Sequence, residues 1–235
     1  MSEHRTTTEK PRLARQAMCD RLAMEFQDGW IVNLGVGMPT LCSNYVDPRK
    51  SLIFHSENGA IGYGPLASAE TADRYLVNAG GQQVTAVPGM AIVHHADSFG
   101  LIRKGMVDVT VMGAYEVAEN GDFANWRVPG RKGGGIGGAM DLAACAKRVF
   151  VALEHTTREG EPRLLKRCTL PITAPGVVKL VVTDLGLFEL TPQGFKLREH
   201  APGWTLDEIQ ALTGARLSAA DDLREFRLRA SREPR

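Results

Sequence analysis

The chain has 235 residues, of which 43% are hydrophobic and 23% are charged, and its formal net charge is +1. This length suits one large domain with an ample core. The near-neutral charge gives no sign of a nucleic-acid or membrane-surface partner, and no apolar run is long enough to cross a bilayer. The polar N-terminus lacks the apolar core of a secretion signal, so we expect a cytoplasmic protein. The four cysteines form no CxxC pair, which favours reduced thiols and argues against a metal site.

The hydrophobic pattern predicts strands that alternate with helices along the chain. Residues 1–10 are polar, and we expect them to form a disordered N-terminal extension. The predicted helices cover residues 11–27, a segment after residue 39, residues 139–146 and a segment from 205 to 214. The predicted strands cover residues 30–34, 51–54, 84–87, 107–112, 149–153, 177–183, 187–190 and 195–198.

This alternation indicates an α/β fold with a mainly parallel sheet, flanking helices and a late β-hairpin. We therefore expect a single domain over residues 11–217. Residues 218–235 are charged and are predicted to form a solvated C-terminal tail.

A glycine turn follows the first predicted strand. Asn33 ends that strand, and Gly35 and Gly37 lead to Pro39, which suits the first turn of a helix. A strand, a glycine turn and a helix N-terminus together can bind an anion. A GxG pair also occurs in tight strand–helix packing, so the pattern alone is a weak signal.

A carboxylate, Glu57, follows the second predicted strand in the string Ser56-Glu57-Asn58-Gly59. In open α/β sheets, ligands bind at the carboxyl ends of the strands. Ser56 and Asn58 can hydrogen-bond a carboxylate or a ligand, and Gly59 permits a close approach that a side chain would block. A lone loop glutamate is more often a solvated surface group, so these neighbours are what favour a catalytic role.

A glycine-rich segment over residues 130–138 leads into the helix predicted from Ala139. Glycines before a helix expose backbone N–H groups, and the helix dipole adds positive potential. Such donors suit an oxyanion hole, although composition alone would favour a flexible surface loop.

Several separated strings resemble the β subunit of family I coenzyme A transferases that act on 3-oxoacids. The matching strings lie at residues 33–37, 56–59, 121–126 and 137–141, and the resemblance extends over about residues 12 to 217. It implies a NagB/RpiA/CoA-transferase-like fold, with Glu57 as the nucleophile and Gly138 as the backbone oxyanion donor. It also implies contacts with coenzyme A or substrate at seven positions: Asn33, Gly35, Gly37, Ser56, Asn58, Gly59 and Gly137.

The chain departs from the family pattern at three positions. Ala60 replaces a larger aliphatic residue, and Phe123 replaces a leucine. Gly81 stands where many relatives carry a lysine that helps to hold coenzyme A, and glycine supplies no cation. Lys104, Arg131 and Lys132 are candidates for that role.

The adjacent pair His94 and His95 is a candidate acid–base or metal cluster, but no other histidine stands at ligand spacing. We therefore expect a polar contact near the pocket wall. The string over residues 94–99 resembles transferases that act on 3-oxoadipate more than those that act on acetoacetate.

The resemblance implies transfer of coenzyme A from succinyl-CoA to 3-oxoadipate or acetoacetate, through a covalent glutamyl-CoA thioester on Glu57. It implies no cofactor, because the coenzyme A thioester is the substrate. The chain lacks a second glycine-rich half, so we expect a partner, the CoA-transferase α subunit, in an α2β2 heterotetramer. The alternatives are an acyl-CoA hydrolase, a non-catalytic acyl-CoA-binding subunit, and a sugar-phosphate isomerase on a related fold.

Overall fold

The computed structural model describes residues 10–130 and 135–226. Its elements, in chain order, are α1 (Arg15–Ala23), β1 (Ile31–Leu34), a 3-10 helix (Met38–Tyr45), β2 (Ile53–His55), β3 (Ala60–Ile61), β4 (Ala91–Ile92), α2 (His95–Arg103), β5 (Val109–Gly113), β6 (Glu116–Ala118), β7 (Phe123–Ala124), α3 (Ala139–Cys145), β8 (Val149–Ala152), β9 (Leu164–Leu165), β10 (Val178–Val182), β11 (Gly186–Thr191), β12 (Gly194–His200), α4 (Leu206–Ala211) and β13 (Leu217–Glu225).

Ten strands form one sheet in the order β13-β12-β11-β10-β8-β5-β1-β2-β3-β4. The central strands β2, β1, β5, β8 and β10 pair with one another in parallel. The later strands β11 and β12 form an antiparallel hairpin beside β10. A small second sheet has the order β7-β6-β9. The predicted α/β fold with a mainly parallel sheet and a late hairpin is therefore confirmed.

Two hydrophobic clusters form the core, and alternate residues of the central strands contribute to each. Val149 and Val151 of β8 pack in the cluster that includes Leu142 of α3. Phe150 and Ala152 pack in the cluster that includes residues of α1. Because successive side chains on a strand point to opposite faces, the clusters lie on opposite sides of the sheet. Helices cover both faces, which explains why the central strands are mostly apolar and why β8 is a continuous apolar run.

The structure differs from the sequence prediction at three places. The first helix is shorter than residues 11–27, and the second is a 3-10 helix. No strand forms over residues 84–87, where only Val84 makes an isolated bridge. A proline and a glycine follow that segment at positions 88 and 89 and turn the chain away.

The first part of the predicted solvated tail is a strand rather than an irregular segment, because β13 continues to Glu225 and pairs in parallel with β12. Its side chains are mostly exposed, so the strand is stabilised by backbone pairing to the free edge of β12 rather than by a buried face. Arg224 also donates to the Glu199 carboxylate over 2.7 Å.

Among residues 10–130 and 135–226, no helix has both the length and the apolar character needed to cross a membrane.

Candidate active site

Glu57 lies in a tight turn that joins β2 to β3. The Gly59 N–H donates to the Ser56 carbonyl over 2.9 Å, and the Ser56 N–H donates to the Ala60 carbonyl over 2.8 Å. Gly59 has a φ of +111°, and a Cβ there would lie 2.2 Å from the Val93 carbonyl oxygen, so only glycine fits. The turn places the half-buried Glu57 at the carboxyl edge of β2, the position expected from the sequence.

The backbone of Gly138 faces the Glu57 carboxylate. Its N–H donates to Glu57 Oε1 over 3.3 Å. Gly138 is the N-cap of α3, and a Cβ on it would lie 2.1 Å from Glu57 Oε2 and 2.9 Å from Phe99 Cζ. The carboxylate therefore fills the space that a side chain at position 138 would need, directly beside a backbone donor.

A cavity of about 420 Å³ opens at this carboxylate. It is lined by residues 33–36, 57, 79, 112–115, 125, 135–139 and 142. Its walls are the turn after β1, the end of β5 and the start of α3, all at the carboxyl edge of the parallel strands. The volume and the edge both fit a ligand site.

The structure brings five of the nine predicted site residues to the cavity wall: Asn33, Gly35, Glu57, Gly137 and Gly138. Of the other four, Gly37 is the exposed N-cap of the 3-10 helix, and Ser56, Asn58 and Gly59 lie in the Glu57 turn.

Two of these four residues support the chain around Glu57 through their side chains. Ser56 Oγ accepts the Ala79 N–H over 2.8 Å, and Asn58 Nδ2 donates to the Val77 carbonyl over 2.8 Å. Ligand contacts at all seven positions given by the resemblance stay predictions.

The Asn33 amide is fully engaged inside the protein. Its Oδ1 accepts the Thr110 hydroxyl over 3.0 Å. Its Nδ2 lies 3.2 Å from both the Nδ1 and the carbonyl oxygen of His55. Burial lowers the pKa of His55, so this imidazole stays neutral under ordinary conditions. A ligand would therefore compete with these bonds for the amide.

The two adjacent histidines do not line the cavity. His94 is the N-cap of α2, and its Nδ1 accepts the Ala96 N–H over 3.2 Å. The His95 ring lies 4.7 Å from the Phe99 ring, which in turn lies beside Gly138. Neither histidine therefore reaches the cavity wall itself: His94 caps a helix, and the exposed His95 contacts the Phe99 ring.

Within the described part of the chain, no lysine or arginine lines the cavity. Gly81 has a positive φ and nothing within 4 Å of a built Cβ. Lys104 is the C-cap of α2, and Arg131 and Lys132 lie outside the described residues. The cation that the resemblance led us to expect near Gly81 has no described replacement at this wall.

Two polar groups on the cavity wall were not predicted from the sequence. Tyr115 lies just past the end of β5, and Asn125 follows β7. Asn125 Oδ1 accepts the Thr173 hydroxyl over 2.7 Å. The place of Tyr115 in the chain could have indicated its role, because residues after β5 must reach the same sheet edge as those after β1 and β2.

A coenzyme A transferase family model matches residues 15–212. The chain is 44% identical over 208 residues to the 3-oxoadipate CoA-transferase β subunit of Pseudomonas putida, covering 88% of this chain and 97% of that subunit. It is 42% identical over 212 residues to the mitochondrial succinyl-CoA:3-ketoacid coenzyme A transferase 2A of Rattus norvegicus. That match covers 89% of this chain but only 41% of the rat enzyme.

The fold also resembles the acyl-CoA transferase YdiF of Escherichia coli O157:H7. The apoenzyme matches with a TM-score of 0.72 at 19% identity, over 94% of this chain and 44% of that one. A second structure of YdiF, a thioester complex with CoA, matches with a TM-score of 0.70 at 20% identity, over 95% of this chain and 44% of that one. At this identity the likeness shows the fold alone.

The structure places a glutamate and a backbone donor at the carboxyl edge of an α/β sheet, and the family model matches residues 15–212 of the chain. These two findings define the class of protein: the chain belongs to the coenzyme A transferase family. Within that family it corresponds to the β subunit of the family I enzymes.

Proposed function

We propose that this chain is the β subunit of an enzyme that moves coenzyme A from succinyl-CoA to a 3-oxoacid, either 3-oxoadipate or acetoacetate. The observation that supports this most strongly is the Glu57 carboxylate, which lies beside the Gly138 N–H at the wall of a 420 Å³ cavity. The names of the P. putida and rat relatives support the substrate class.

In the proposed reaction, coenzyme A passes first from the donor acid to Glu57 and then from Glu57 to the acceptor acid. A Glu57 oxygen attacks the donor's thioester carbon, a C–O bond forms, the C–S bond breaks, and the coenzyme A thiolate leaves. The thiolate then attacks the Glu57 carbonyl carbon of the resulting anhydride and expels the donor acid, which leaves a glutamyl-CoA thioester. The acceptor acid reverses these two steps. Every bond change lies between acyl, thiol and carboxylate groups, so no cofactor is required.

Gly138 has a defined role in the second attack. When the thiolate adds to the Glu57 carbonyl carbon, negative charge develops on a Glu57 oxygen. The Gly138 N–H already points at Oε1 over 3.3 Å, a distance that can shorten as the charge grows. Fixed donors of this kind typically contribute about a hundredfold or more in rate.

We propose further that the chain acts with an α-subunit partner, in an α2β2 heterotetramer. Two observations support a partner: a P. putida relative of similar length is named as one subunit of a transferase, and this chain spans only 41% of the rat enzyme. The four free cysteines suit a reducing compartment, which supports the cytoplasm as its location.

The test is turnover by the chain co-expressed with the α subunit. We expect succinyl-CoA consumption to depend on an added 3-oxoacid and to be lost in Glu57→Gln. Glu161→Gln changes an exposed glutamate in the same way and should leave turnover intact. Consumption without an acceptor would instead indicate a hydrolase. Full activity in Glu57→Gln would leave a non-catalytic binding role for this chain.

A further inference from the structure

Three neighbouring parallel strands place polar side chains side by side across the sheet. Thr110 of β5 and His55 of β2 are both register partners of Asn33 on β1. The Thr110 hydroxyl donates to Asn33 Oδ1, and Asn33 Nδ2 contacts His55 Nδ1. None of the three is more than 2% exposed. Burying a row of polar side chains costs free energy on folding unless each of them is hydrogen-bonded. Packing alone therefore does not explain why these three polar residues lie side by side.

The row continues onto α2 and ends at the turn that contains Glu57. Ser98 Oγ lies 2.9 Å from His55 Nε2 and 3.1 Å from the Ser56 carbonyl oxygen. A carbonyl only accepts, so the single Ser98 proton must go to Ser56. His55 Nε2 must then carry a proton and donate to Ser98, while His55 Nδ1 accepts from Asn33.

The direction of every hydrogen bond in the row is therefore fixed. Turning the Asn33 amide over would place its oxygen against the His55 carbonyl oxygen, which Nδ2 now contacts at 3.2 Å. A second proton on His55 would oppose the Asn33 amide hydrogen. The lowered pKa of His55, caused by burial, agrees with the neutral Nε2–H form.

We infer that Ser98 is a positioning residue for Glu57, and that neutral His55 orients the Ser98 hydroxyl toward the Glu57 turn. Ser56 directly precedes Glu57, and its carbonyl accepts both the Ser98 hydroxyl and the Gly59 N–H that closes the turn. The Ser98 hydroxyl thus anchors the Glu57 turn to helix α2. This inference rests on the proposed function of Glu57 as the nucleophile.

Loss of the Ser98 hydroxyl should lower the rate of the chemical step and leave substrate binding unchanged. The His55 N–H would lose its acceptor in a dry site, and the Ser56 carbonyl would lose one of two donors, so the turn would relax. A reactive group misplaced by about 1 Å can lose about a hundredfold in rate. Neither Ser98 nor His55 lines the cavity, so coenzyme A should bind as before.

The experiment is Ser98→Ala in the complex with the α subunit. We expect kcat with succinyl-CoA and 3-oxoadipate to fall about tenfold to a hundredfold, while KM for succinyl-CoA stays within about twofold. The single-turnover rate at which a borohydride-reducible adduct forms on Glu57 should fall by the same factor. Should Ser98→Ala fail to fold, Ser98→Cys replaces the hydroxyl with a weak donor and should show the same loss.

The matched control is Ser43→Ala. Ser43 is also a buried serine, and its hydroxyl donates to the Thr40 carbonyl over 2.9 Å, away from the Glu57 turn. We expect it to keep wild-type kcat and KM. An unchanged kcat in Ser98→Ala, a rise in KM alone, or an equal loss in Ser43→Ala would overturn the inference. A wild-type complex without any Glu57 adduct would overturn the proposed function and this inference with it.

Discussion

The substitution Gly138→Ala tests the geometry of the candidate site without removing its backbone donor. Gly138 has φ −86° and ψ 6°, in the sparsely populated bridge region that non-glycine residues also adopt. The new methyl carbon would lie 2.1 Å from Glu57 Oε2, whereas ordinary contacts begin at about 3.4 Å. Phe99 Cζ would also lie 2.9 Å away, so the new methyl group meets two close neighbours.

The Glu57 carboxylate must therefore move by more than about 1 Å. A displacement of that size typically costs about a hundredfold in rate. We expect kcat of the complex with the α subunit to fall about a hundredfold. The free energy of unfolding should change by less than about 1 kcal/mol, because a half-buried side chain can move aside.

Steady-state kinetics and urea unfolding of Gly138→Ala and Gly100→Ala measure this. Gly100 lies within α2, where a built Cβ meets nothing within 4 Å, so the control should keep wild-type kcat. A kcat for Gly138→Ala within about threefold of wild type would refute the view that this contact positions the nucleophile.

Three further predictions concern stability and are measured by urea unfolding. Burial lowers the pKa of His155 to about 3, so the folded chain keeps it neutral while the unfolded chain protonates it near pH 6.5. Its contribution to the free energy of unfolding is complete above about pH 6.5 and is lost as the pH falls toward 3, at up to about 1.4 kcal/mol per pH unit. If the free energy of unfolding of His155→Gln fell with pH as steeply as that of the wild type, this prediction would be wrong. Arg21→Ala leaves buried Glu199 without its 2.6 Å partner and should lower the free energy of unfolding by about 3 kcal/mol. This is the low end of what breaking a buried ion pair costs, because Arg224 still pairs with Glu199. A loss of stability below about 1 kcal/mol would refute this prediction. Thr205→Ala removes the N-cap of α4 and should cost about 1 kcal/mol, which an unchanged midpoint would contradict.

Elements defined by local chemistry were predictable from the sequence. Thr205 and Glu208 form a capping box at the start of α4, where the sequence predicted a helix from residue 205. The predicted hairpin is confirmed, with Thr191 paired to Gly194 across a two-residue loop. The strand β8 was found because burial on both faces produces a continuous apolar run, and β10 was found in the same way despite its exposed Lys179.

Elements that depend on distant partners were not predictable in this way. β13 carries mostly exposed side chains and forms because β12 offers a free edge, a property that no local pattern records. Residues 84–87 have the composition of a strand but find no long partner, and only Val84 makes a bridge there. Pairing, rather than propensity, decided both cases.

The candidate site was predictable in its residue types but not in its support. Glu57 and Gly138 are 81 positions apart, and only the fold brings their atoms within 3.3 Å. Asn33 was assigned to coenzyme A, yet its amide bonds Thr110 and His55, because the register of three strands sets them in one row. Register follows from the whole sheet and cannot be read from one segment.

The most direct test of the central claim is to trap the covalent intermediate on Glu57. The complex with the α subunit is incubated with succinyl-CoA, reduced with borohydride, digested and examined by peptide mass spectrometry. We expect the Glu57 side chain to be reduced to an alcohol, with activity lost in parallel. An unmodified Glu57 in a complex that still transfers coenzyme A would contradict the account, because turnover would then proceed without a glutamyl thioester.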